Sequence, residues 1–378
     1  MDGSKEKLEN VVPIQYSDDI EFTEKEQEEV IKYFMDLNLD FIKNFCDLHD
    51  IPKRGNKSDY KKRIIESIEG GKISYINLID FVDEVEKYGK QHVLLYKGSD
   101  TILSHWNDND NVNTLLTENK LLKYKNTRLP IILPQGLALS SIEYVKNKRL
   151  EIYAVEAHYH IERIQQYDEQ KEIEDYDLNI ELRAYFRKLR RGFVIFKWDL
   201  VLNIASLHIM QLPRGLTYDD MEARFRGLIK SWLDLDQFQK LDLKSVIKKL
   251  HALEETENPE TRSHGLNYKS IGGRLVDARS SNPEDSVLGE DFIEKAMREI
   301  RKKSVGNLGN FYWLPLKVSS DDLLKENSDN EVADKSNKNP LKKEIRTVII
   351  GKENRINFTK PNRREDMEYV LSRVRDLC

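Results

Sequence analysis

Two cysteines are all that 378 residues contain, Cys46 inside an apolar run and Cys378 as the last residue. So few thiols exclude a disulfide framework and a thiolate zinc site, and they fit a reducing compartment. Long apolar runs are also missing. Nothing approaches the roughly eighteen apolar residues that span a bilayer, and the opening MDGSKEKLEN has no apolar signal core. These absences predict a cytoplasmic protein with no membrane contact. Neither sign of charge dominates: 61 Lys and Arg stand against 66 Asp and Glu, a net charge of −5. That excludes a surface coated in basic residues, so any nucleic-acid contact has to be local and weakened by salt. Catalytic signatures are absent too. No Walker loop, no Gly-x-Gly-x-x-Gly and no Gly-x-Ser-x-Gly elbow occurs, and neither cysteine has a nucleophile motif around it.

What is present is enough apolar residue, 39% against 34% charged, to build cores in two or three domains. The fold class expected is α+β: a small all-helical N-terminal domain, then a larger domain with a twisted antiparallel sheet and flanking helices. Residues 1–22 read as a loose leader and 23–90 as the helical domain, opened by a Thr23/Glu26 capping box. Ser74 caps a further helix from about Tyr75 to Tyr88. From His92 to Leu212 the pattern favours strands, at 92–96, 129–133, 150–164, 178–186, 193–198 and 204–212. Between two of these, Arg187, Lys188, Arg190, Arg191 and Gly192 read as a basic hairpin turn. Helices resume after Thr217, at 243–253 and at 291–303, with 254–288 a long loop between the last two. Residues 319–340 read as a mobile acidic linker, which closes the 91–318 domain. The 341–378 tail reads as a hairpin, 345–350 with 356–358, followed by a helix.

One stretch carries a recognisable device. In residues 39–69, Leu39, Ile42, Phe45 and Leu48 recur at helical spacing and predict one apolar stripe. Ile51 and Pro52 end that helix and impose an extended connector. Gly55 allows a turn at positive φ before Asn56 and Ser58, either of which can cap a second helix buried through Tyr60, Ile64, Ile65 and Ile68. Lys53, Arg54, Lys57, Lys61, Lys62 and Arg63 crowd the connector and that helix, opposed only by Asp59. The helix's free N–H groups would add to their pull on a phosphate.

This run, with Phe41, Ile42, Leu48, Ile51, Pro52, Gly55, Lys57, Tyr60, Arg63 and Ile64 in order, resembles the SAP family of helix-extension-helix modules. Tyr60 stands where that family usually has leucine. The resemblance covers about thirty residues of the chain and implies DNA binding through the Gly-x-Lys turn and the following helix, which nominates Lys53, Arg54, Lys57 and Lys61.

Other constellations point less far. Glu156, His158 and His160 alternate in a predicted strand and are suitable ligands for zinc or iron. Tyr153, Val155, Ala157 and Tyr159 make the more obvious core side, so the simpler reading is a solvent-facing or partly covered polar strand, and neither metal nor cofactor is expected. Asp177, Glu181 and Arg183 approach a nuclease set but lack its lysine and its spacing. The segment HGLNYKSIGGR, 264–274, reads as a surface turn. Further phosphate contacts are expected at Arg187, Lys188, Arg190 and Arg191; the tail adds a second basic cluster, Lys342, Lys343, Arg346, Lys352, Arg355, Lys360, Arg363 and Arg364, and for either cluster the alternative is ordinary charge that keeps hairpins soluble. Trp198, Trp232 and Trp313 belong in cores.

The expectation is thus a non-catalytic subunit of a larger assembly, for genome defence or chromosome maintenance, that contacts double-stranded DNA and a protein partner. Two alternatives stay open: a scaffold subunit that binds no nucleic acid, and a divergent metal-dependent nuclease.

Overall fold

The computed structural model describes residues 22–127, 133–173, 178–315 and 341–378, with the side chains of residue 162 and of 165–182 left out. The expected strand at 129–133 therefore lies almost wholly outside the described residues, as do the leader, the linker and Asp177. The fold is α+β, with helices at the N-terminus and antiparallel sheet beyond them. No helix among the described residues is long and apolar enough to cross a membrane. The chain forms two compact units, one of residues 100–203 and 209–237, the other of 22–99, 204–208 and 238–378.

In the second unit, helices α1 (Glu24–Asp36), α2 (Leu39–Leu48), α3 (Lys57–Glu69) and α4 (Tyr75–Lys87) come first. Thr23 closes the expected capping box on Glu26, and Ser74 does the same through Asn77. Phe45 fixes the small core: its ring lies 4.7 Å from Phe34 and 5.1 Å from Phe81, both edge-on. Ile42, Cys46, Tyr60, Ile64, Leu78 and Val82 complete it. Leu48, expected on the buried stripe, is exposed, because the helix ends there and turns away at His49.

The sheet of this unit runs β5–β1–β11–β10–β9–β7–β8, with β6 also on β1. Its strands are β1 (Gln91–Gly98), β5 (Ile204–Met210), β6 (Phe238–Lys240), β7 (Thr261–Ser270), β8 (Leu275–Arg279), β9 (Ser304–Trp313), β10 (Ile345–Ile350) and β11 (Arg355–Phe358). Helices α8 (Leu243–Glu254), α9 (Asp291–Lys302) and α10 (Arg364–Asp376) pack on it around Leu250, Tyr268, Met297, Trp313, Ile349 and Val370. Helix α8 lies so close to β9 that a Cβ on Gly306 would come within 2.6 Å of Ile247 and 2.7 Å of the Lys244 carbonyl. The tail hairpin and helix stand where the pattern put them. The long loop expected at 254–288 instead contains the β7–β8 hairpin, with Gly273 at φ +80° in its turn. Its buried positions are largely small or polar, Thr261, Ser263 and Gly265 among them, so the usual apolar alternation is faint.

The first unit opens with α5 (Asp100–Asn107) and α6 (Asn109–Glu118), helices in a region whose pattern suggested strands alone. Both are short and rich in Asn, Asp and Thr, and each buries only two apolar residues, Ile102 and Trp106 or Val112 and Leu116. An antiparallel meander follows: β2 (Ala138–Val145), β3 (Arg149–Ile173) and β4 (Leu178–Asp199), then α7 (Tyr218–Ile229). The basic hairpin turn expected at 187–192 does not exist. Those residues lie inside β4, paired without a break to Ile161, His160, Tyr159, His158, Ala157 and Glu156 of β3. Trp106, Trp198 and Trp232 stack obliquely at 6.2 and 6.3 Å, and the Trp198 indole N–H donates to Asn203 at 3.2 Å, so these rings are core.

Candidate nucleic-acid interface

The α2–α3 unit is built as a helix-extension-helix. Helix α2 carries Ile42 and Phe45 inward, Ile51 is buried at the start of the connector, and Pro52 to Asp59 are exposed. Gly55 adopts φ +97°, and a Cβ there would also strike the Asp59 carboxylate. The Asn56 side chain accepts from the Ser58 and Asp59 N–H groups at 2.9 and 3.1 Å, and the Asp59 carboxylate accepts from the Asn56 N–H at 2.8 Å. This corrects the expected role of the helix terminus. Its first donors are taken by the chain itself, and an aspartate stands where a phosphate would be drawn. The positive charge that the unit leaves exposed is carried by its side chains.

Those side chains differ in freedom. Lys53 pairs with Asp47, Lys57 donates to the Leu37 carbonyl at 3.0 Å, and Lys62 lies 3.9 Å from Glu66. Arg63 donates to the Arg54 carbonyl and covers the Tyr60 ring at 5.1 Å, which braces the connector against α3. Arg54 and Lys61 are exposed, and no side-chain partner occurs for either among the described residues. All the pairings of the lysines are at the surface, where an ion pair is worth little and yields readily to a phosphate.

The second expected cluster is not one patch. Opposed residues of an antiparallel pair share a face and neighbours alternate, so Arg187 and Arg191 project from one face of the β3–β4 ladder, Lys188 and Arg190 from the other. Arg191 is 6% exposed, opposite Ala157, and is removed from the phosphate-contacting set because burial withholds its guanidinium from any ligand outside. In the tail, Arg363 pairs with Asp366, Arg364 with Glu368, and Arg355 with Glu353, so three of its arginines brace α10 and the β10–β11 turn.

Glu156 and His158 do share a face, and both are buried, more deeply than the solvent-facing or partly covered strand of the simpler reading. The His158 ring bonds Glu156 at 2.7 Å and lies over Gly192, where a Cβ would come within 2.3 Å of it. Arg224 of α7 closes on Glu156 with both terminal nitrogens, one at 3.1 Å. Burial pushes the Glu156 carboxyl up, yet the bonds from His158 and Arg224 outweigh it and hold the group below the usual carboxylate range. Arg224 is 68 positions away in sequence, and no local pattern could have named it. The trio locks α7 to the strands. Among the described residues, no group of three or more His, Cys, Asp or Glu is placed to hold a metal ion. In comparisons with known proteins, no family model matches this chain and no curated protein matches it.

Proposed function

We propose that the chain is a DNA-binding subunit of a larger cytoplasmic assembly and that it grips the phosphate backbone through the α2–α3 unit. One observation carries this reading: Lys53, Arg54, Lys57, Lys61 and Lys62 are all exposed on the connector and the first turns of α3, around a glycine-turned loop. Long flexible cations at such a site neutralise phosphates and read few base edges, so binding is weakly sequence-dependent and falls steeply with salt. Lys188, Arg187 and Arg190 on the β3–β4 strands are secondary candidates for the same backbone.

The test is fluorescence anisotropy of a labelled duplex with the full chain, compared with a variant in which Lys53, Arg54, Lys57 and Lys61 are all changed to glutamate. Binding at low salt that the variant loses, with an unchanged circular dichroism spectrum, supports the reading. Equal binding by both, or by neither, removes it. In the second case the capping aspartate gains weight: Asp59 at the tip of α3 favours a cationic protein segment over a phosphate, and the unit becomes a scaffold contact.

A further inference from the structure

A cavity of about 250 Å³ lies in the second unit where Glu254 of α8, Thr261 at the start of β7, the 286–288 segment and Glu294 of α9 come together. An apolar cavity of ~150 Å³ already accepts benzene, so this one has room for a small organic molecule. Two of its polar atoms are unspent. Glu254 accepts through Oε1 from the Ser263 N–H at 2.8 Å and from the Ser286 hydroxyl, whereas its buried Oε2 has no hydrogen-bond partner among the described residues. Thr261 is 1% exposed, and its hydroxyl has none either. Strand alternation keeps both on the inner side: Thr261 and Ser263 are buried, while Arg262 between them lays its guanidinium over the Tyr312 ring at 5.1 Å. Buried polar atoms are almost always satisfied, and each orphan costs stability that a ligand bonding to it restores.

The lining selects the chemistry of that ligand. Its other charges are already paired: Glu255 with Arg301 at 2.9 Å and Arg298 at 3.3 Å, Glu294 with Arg298, and Arg262 with Glu344 at 2.9 Å. Glu254 has no ion pair among the described residues. Burial raises its carboxyl pKa against the opposing pull of Ser286, Ser263 and Arg262. A carboxylate in such a place gains most from a cation, because a buried charge is stable only when paired. Calcium and magnesium take about six or more oxygens, and the cavity offers two unspent ones beside Pro259, Leu288 and Leu314. Apolar walls suit a short hydrocarbon body, and two acceptors suit a head with several N–H donors.

We infer that this cavity binds a primary ammonium group carried on a short aliphatic chain. The ammonium donates to Glu254 Oε2 and to the Thr261 hydroxyl, and the aliphatic chain lies against Pro259, Leu288 and Leu314. Glu254 supplies the charge and Thr261 the second acceptor. An alcohol of the same length would leave the carboxylate without its counter-charge, and an inorganic monovalent cation would leave the apolar walls uncovered. A free amine and a lysine side chain present the same group, so both fall within the proposal. It does not depend on DNA binding by α2–α3.

Isothermal titration calorimetry of the full chain with butylammonium chloride, and separately with Nα-acetyl-lysine methylamide, tests it, with butanol and potassium chloride as controls. The expected result is saturable one-site binding of at least one of the two amines, with a dissociation constant of about 1 mM or below. Glu254→Gln keeps an oxygen for Ser263 and Ser286 but removes the charge, and should weaken binding about tenfold or more. Thr261→Val keeps the shape and leaves Glu254 in place, and should weaken it severalfold. An unchanged circular dichroism spectrum and urea midpoint separate loss of the site from loss of fold. Saturation by neither amine overturns the proposal. Binding that both variants leave unchanged overturns it too, as does a signal that butanol or potassium chloride reproduces.

Discussion

The α2–α3 unit and the β3–β4 ribbon both concentrate lysine and arginine, but they hold them in opposite ways. In the helical unit a glycine turn and a capped helix gather the cations on the exposed connector and the first turns of α3, over a core closed by Phe45. On the ribbon the period of two deals them to both faces, buries Arg191 and sets apolar side chains between the rest. A basic run in sequence is therefore not yet a basic patch. Its periodicity decides whether the charges converge, and only the helical unit makes them converge.

That contrast can be broken from either side. The largest effect is expected from Phe45→Ala, which removes a fully buried ring between Phe34 and Phe81 and should cost about 3–5 kcal/mol. Hydrogen exchange should then show α1 to α4 losing protection while the β3–β4 ladder near Ile152 keeps it. Next comes Gly192→Ala on the ribbon side. The new methyl group meets the His158 ring and must displace it from Glu156, at about 1–3 kcal/mol in urea unfolding, with the helical unit unchanged.

Acid should separate the regions further. Burial depresses His92 to about 3 and His251 to about 4, against 6.5 unperturbed, with Arg355 and Arg301 adding to the effect. His92 lies on β1 of the second unit's sheet and His251 on α8, which packs on that sheet. The unfolded chain binds these protons first, so the stability of that sheet is complete above pH 6.5 and falls as pH drops from there towards 4 and 3. Urea midpoints at pH 7.5, 5.5 and 4.5, read by hydrogen exchange on β1 and α8, check the direction. The smallest effect is expected from Asn56→Ala, which removes the cap of α3 at about 1 kcal/mol. It should sharpen the comparison by loosening the loop that gathers the cations without touching any of them.

How much of this was legible in the sequence follows from the kind of signal each element carries. The tail hairpin was legible because Ile345, Thr347 and Ile349 alternate inward and Asn354, at φ +49°, closes the turn. The α2–α3 pair was legible from its apolar spacing, its Pro52 break and Gly55. Helices α5 and α6 were not, since their buried stripes are two residues each and their composition is that of a turn. Strand β4 was misread because four cations look like punctuation when their partners on β3 are unknown. The site was legible as a set of cations, but the Asp59 carboxylate at its centre changes the chemistry from helix terminus to side chains. The Glu156, His158 and Arg224 trio was half legible: the alternation placed two members on one face, and only the fold supplied the third.

The central claim is that the exposed cations of the α2–α3 unit neutralise phosphates. The most direct measurement is the slope of log binding constant against log salt for a duplex, in the wild-type chain and in Arg54→Gln and Lys61→Gln, cations with no side-chain partner among the described residues. Each substitution should lower the slope by about one and weaken binding alike on all sequences. Slopes that match the wild type, or a loss confined to one sequence, would contradict the account.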